Sequence, residues 1–95
     1  MPAPTVPFHA DRYLDTPESQ LELLADAFES GDAGYITQAL GVVARARGMT
    51  DIAREAGVTR EALYKALSAD GDPRLSTLLG VARALGVRLS ASAAE

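Results

Sequence analysis

From residue 16 onward, apolar residues recur at the three- and four-residue steps of amphipathic helices. In "TPESQLELLADAFESGD" Leu21, Leu24, Ala25 and Phe28 share a stripe, with Leu23 and Ala27 beside it. Thr16 stands as N-cap, Pro17 takes the first helical position, where its missing N–H costs nothing, and Gly31 ends the run. "DAGYITQALGVVARARG" predicts a second helix, capped by Asp32 and carrying Ile36, Leu40, Val43 and Ala44 on one stripe. Arg45 and Arg47 suit the negative end of its dipole, and Gly48 supplies a left-handed stop. Gly41 inside this helix costs about 1 kcal/mol of propensity relative to alanine, which points to a close helix contact there.

Two short helices follow. "TDIAREAG" is expected to start at Thr50 as cap and to close at Gly57, and "TREALYKALS" to start at Thr59. Val58, just before that cap, can pack on Leu63 and fix the entry angle. Gly71 and Pro73 make a turn, after which "LSTLLGVARALG" places Leu75, Leu78, Leu79, Ala82 and Leu85 on one face. The period then changes. Val87, Leu89 and Ala91 alternate with Arg88, Ser90 and Ser92, predicting a short half-buried strand. Before the first helix, "MPAPTVPFHADRYLD" has three prolines and no periodicity, and reads as an extended or disordered arm over residues 1–15. The expected fold is all-α, with about five helices, this flexible arm and the short C-terminal strand.

The corner at "AGVT" sets two helices at an abrupt angle, as in a helix-turn-helix, where one helix braces on the DNA backbone and the next lies in the major groove. Ala53 is small where the second helix crosses, and Gly57 suits a positive φ. Ile52, Val58, Leu63 and Leu67 have the types and separations to hold the pair from beneath. Thr59, Arg60, Glu61, Tyr64 and Lys65 then point away from the Leu63–Leu67 stripe. Arginine can fork onto guanine and glutamate can accept from cytosine N4. Tyr64, Lys65 and the hydroxyls of Thr50 and Thr59 suit phosphates.

Charge sharpens this picture. The formal net charge of −4 hides two halves: residues 1–44 carry one Arg against seven Asp or Glu, and residues 45–94 carry eight Lys or Arg against five. The two halves are therefore expected to meet different partners. Cysteine is absent, excluding disulfides and thiolate chemistry, which suits a reducing cytoplasm. No apolar run reaches the length of a membrane span and the N-terminus has no signal-peptide centre, so a cytoplasmic protein is expected. An enzyme is not: His9, the one histidine, sits in the arm without a paired base or nucleophile. "GDAG" lacks the lysine of a phosphate loop, and "DGD" at 70–72 lacks the bidentate Glu of a calcium loop, so no cofactor or metal is called for.

Residues 13–92 resemble the addiction-module antidote proteins, HigA-like antitoxins with a lambda-repressor-like (Xre-type) helix-turn-helix. "YLDTPE", "AFESGD", "ALGVVARARGMTDIAREAGVTREALYKALS" and "GDPRLSTLLGVARALGV" carry the resemblance. It implies an antitoxin encoded beside a small basic toxin of the RelE/ParE/HigB-like superfamily. It further implies a homodimer that binds an inverted-repeat operator and represses the operon, with recognition residues on "TREALYK". The acidic half independently suits a basic partner. Residues 16–31 are the expected toxin-binding helix, with Phe8, Tyr13, Leu14, Leu24 and Phe28 as candidate contacts, and residues 32–92 the DNA-binding and dimerisation domain. Leu78, Leu85, Val87 and Leu89 are the candidate dimer contacts, the strand pairing across a two-fold axis. The competing readings are a stand-alone helix-turn-helix repressor without a toxin and a pure protein-interaction module.

Overall fold

A computed structural model describes residues 16–94; the expectations for residues 1–15, and with them Phe8, Tyr13 and Leu14, lie outside that range. Among the described residues five helices follow one another: α1 (Pro17–Ser30), α2 (Ala33–Arg47), α3 (Met49–Ala56), α4 (Arg60–Ala66) and α5 (Leu75–Ala84). Three starts are fixed by side chains that accept from free backbone N–H groups. Thr16 Oγ1 accepts from Ser19 N at 3.2 Å, Asp32 Oδ1 from Gly34 N at 2.9 Å, and Thr59 Oγ1 from Ala62 N at 3.0 Å.

The start of α3 differs from the expected one. Gly48, at φ 111° and ψ 107°, closes α2 by donating to Ala44 O at 2.8 Å and opens α3 by accepting from Ile52 N at 3.1 Å. One residue therefore serves both helices, and Thr50 falls inside the first turn rather than at the cap. A side chain at position 48 would meet no neighbour, but its positive φ would strain any L-residue.

Residues 87–92 form no strand. Gly86 N donates to Arg83 O at 3.0 Å and Val87 N to Ala82 O at 2.8 Å, the paired bonds of a Schellman motif. Val87 thus folds back on the core as the apolar residue that closes α5. The alternation in the sequence had no ladder partner, so the helix cap took its backbone N–H instead. The end of α3 repeats the device: Gly57 N donates to Arg54 O at 3.2 Å, Val58 N to Ala53 O at 3.0 Å, and Val58 packs on the same core.

All five helices feed one core, whose largest fully buried side chains are Leu24, Leu40, Val43, Leu63 and Val81. The close helix pairs are α1 with α2, α2 with α3, α3 with α4, and α3 with α5. The division drawn at residues 31/32 is therefore not a boundary in packing: Leu24 and Ala27 of α1 are buried among residues of α2–α5. A polar tie crosses the same line. Arg47 Nε donates to Oε1 of the buried Gln20 at 2.6 Å, and its Nη2 to Leu85 O at 3.3 Å, linking α1, α2 and the end of α5. At the other end of α1, Tyr35 Oη donates to Asp26 Oδ2 at 2.6 Å, a bond that raises the phenol pKa above its ordinary value.

The close contact expected at Gly41 is present. A Cβ there would lie 2.9 Å from Leu67 O, at the end of α4. Alanine gains about 1 kcal/mol of helix propensity, but overpacking against a backbone carbonyl costs about 1–3 kcal/mol. Gly41→Ala is therefore expected to lower the melting temperature followed by circular dichroism. A fragment beginning at Asp32 should lose its cooperative unfolding transition altogether, because removal of a buried leucine alone costs about 2–5 kcal/mol. An intact sharp melt for that fragment would show that α1 is an accessory to the core.

Candidate functional site

The chain leaves α3 through Gly57, Val58 and Thr59 and enters α4 at once, so the two helices meet at a fixed corner. Leu63 and Leu67 are buried and hold α4 from one side. On the other side Thr59, Arg60, Glu61, Tyr64 and Lys65 are all exposed, as is Thr50 on α3. Their placements differ. The Thr59 hydroxyl caps α4, and Glu61 lies in its first turn. The Arg60 guanidinium stacks over the Tyr64 ring, 5.5 Å from its centroid, a cation–π contact worth about 0.5–1 kcal/mol at an exposed site.

Arg60 and Tyr64 also wall an open hollow of about 360 Å³ with Thr50, Asp51 and Arg45. The first turn of α3 opens into this hollow. Gly48 offers no side-chain cap, and helical geometry leaves the first N–H groups of α3 without intrahelical acceptors. Arg45, Arg60 and the uncapped first turn of α3 thus line one hollow, a set of groups suited to an anion. Asp51 sits on the rim but is engaged by Arg54 at 3.1 Å. Lys65 lies apart, in a second depression between α4 and the turn before α5, together with Arg74. Arg45 was legible only as a charge favourable to the α2 dipole. Its place here depends on the tight junction at Gly48, which no sequence period records.

The apolar candidates divide differently from their expected grouping. Leu24 is 2 % exposed and belongs to the core, while Phe28 is half-buried. Leu21, three residues before Leu24, is 54 % exposed instead. Leu85, the residue that caps α5, is buried and Leu78 packs against the core, whereas Leu75 and Leu79 of α5 are 68 % and 42 % exposed, one turn apart. Val87 and Leu89 are half-buried against α1.

Fold and surface together define a small all-α protein with a helix-turn-helix arrangement and an acidic first helix packed into the same core. The chain belongs to the family described as "probable addiction module antidote protein", whose profile matches residues 4–93. An antitoxin role, with a toxin of some kind as partner, follows from that membership. It is also similar to a protein of Haemophilus influenzae described only as uncharacterized, 43 % identical over 74 residues, covering 77 % of this chain and 76 % of the relative. No solved structure matches. Among the described residues no helix is long and apolar enough to cross a membrane, and no group of three or more His, Cys, Asp or Glu is placed to hold a metal ion.

Proposed function

We propose that this protein is the antitoxin of a type II toxin–antitoxin module, neutralising a basic RelE/ParE/HigB-like toxin by direct binding and repressing its own operon from the cytoplasm. It acts by binding and catalyses no reaction. The observation that carries the DNA-binding half is the surface of α4. That helix is held by two buried leucines and presents Arg60, stacked on Tyr64, beside the uncapped start of α3.

In this reading α4 enters the major groove and Arg60 forks onto guanine O6 and N7. The Tyr64 ring restricts the arginine rotamers, so less freedom is lost on binding. Glu61 accepts from cytosine N4. A phosphate sits in the hollow, held by the α3 N–H groups, the Thr50 hydroxyl and Arg45, while Tyr64 and Lys65 serve neighbouring phosphates. Two copies related by a two-fold axis read the half-sites of an inverted repeat. The exposed Leu75 and Leu79 of α5 support this dimer by offering an apolar seam.

Three variants separate these roles on the protein's own promoter. Arg60→Ala should cost about 1–3 kcal/mol per subunit and relax base choice at one position of each half-site. Arg45→Ala and Lys65→Ala should weaken binding to all sequences alike and shrink the salt slope by about one per lost contact. A wild-type footprint without protection at low salt would remove the DNA-binding half. Co-expression with the adjacent reading frame addresses the other half. A complex that co-purifies and restores growth is the expected outcome, and a protein that binds its promoter but not the neighbouring product is a stand-alone repressor.

A further inference from the structure

The acidic helix α1 carries two stripes side by side. Leu21, Leu24, Ala25 and Phe28 follow at helical spacing, and with Val87 and Leu89 they line an open apolar hollow of about 400 Å³. Leu24 closes its floor, while Leu21 stands more than half exposed at its edge. This is a contiguous apolar surface, unlike the singly scattered leucines that need no explanation. The second stripe is charged. Glu18 lies three residues before Leu21, Glu22 three before Ala25, and Glu29 four after Ala25, so the carboxylates run along the solvent side of the apolar row.

None of these three carboxylates has a cation within ion-pair distance among the described residues, where the one ion pair is Asp51 with Arg54. Among the described residues Arg88 alone brings a positive charge to the lining of the hollow. The stripe is therefore an uncompensated anionic field beside an open apolar seat. That combination fits a protein partner that is basic around one inserted apolar side chain.

We propose that the hollow between α1 and residues 87–90 seats the toxin, which inserts an apolar side chain beside Leu21 and meets Glu18, Glu22 and Glu29 with Lys or Arg. This rests on the antitoxin reading given above. The hollow shares no residue with the one between α3 and α4, and α1 is not among the close neighbours of α4. Toxin and operator can thus be held at once.

The test uses the full chain and the purified product of the adjacent reading frame, with affinity measured by calorimetry at two salt concentrations. Leu21→Asp should weaken the complex about tenfold or more, as expected when a carboxylate replaces an apolar contact of the seat. Its melting curve and promoter binding should match the wild type. Glu22→Lys, at an exposed position, should weaken the complex and flatten its salt dependence, so the proposal stays testable should Leu21→Asp fail to fold. Unchanged affinity in both variants overturns the seat while leaving the antitoxin reading standing. No complex with the wild-type chain removes that reading and the seat with it. Should sedimentation show Leu21→Asp splitting a wild-type dimer, the hollow holds a second copy of this chain, and the proposal is likewise overturned.

Discussion

A seven-residue helix has no stability of its own in water, because the cost of the first turn is not recovered over so short a length. Everything α4 presents therefore depends on how it is held. Leu63 and Leu67 fasten it to the core, Thr59 caps its start, and Val58 anchors the chain one residue earlier. Gly41 of α2 completes the socket, since only a residue without a side chain lets Leu67 O approach so closely. The exposed row from Arg60 to Lys65 is the outward face of that socket.

The same economy of length shapes the junctions. Gly48 ends one helix and begins the next with no residue between, which leaves the start of α3 uncapped and puts Arg45 and Arg60 on the lining of one hollow. A longer linker with a side-chain cap would have satisfied those N–H groups internally, and the cationic hollow would lose its donors. Schellman bonds at the ends of α3 and α5 turn Val58 and Val87 back onto the core. The second of these places residues 87–90 against α1 and so creates the apolar hollow there.

Charge is distributed to match this layout. The acids of α1 face solvent, while Arg47, the cation nearest that helix in the hydrogen-bond network, turns inward to Gln20 and to the end of α5. That bond joins the helix proposed to meet a toxin to the body that carries α4. The acidic and basic halves of the sequence are thus separate in surface yet continuous in core.

All five described helices, the caps at Thr16, Asp32 and Thr59, and the close contact at Gly41 are legible in the sequence, because each rests on local chemistry that neighbouring residues decide. The cap at Gly48 is not, since Thr50 has the better capping side chain and only the packing of α2 on α3 moves the helix start forward. The strand expected over residues 87–92 does not form for a related reason: alternation describes a half-buried chain, but a ladder needs a partner that no local pattern supplies. Leucines mark the sharpest limit. Leu21 and Leu24, or Leu79 and Leu85, look alike on a helical stripe, yet one of each pair is exposed and the other buried. Periodicity fixes which residues share a face; which part of that face is covered depends on where the other helices cross, and that only the tertiary structure decided.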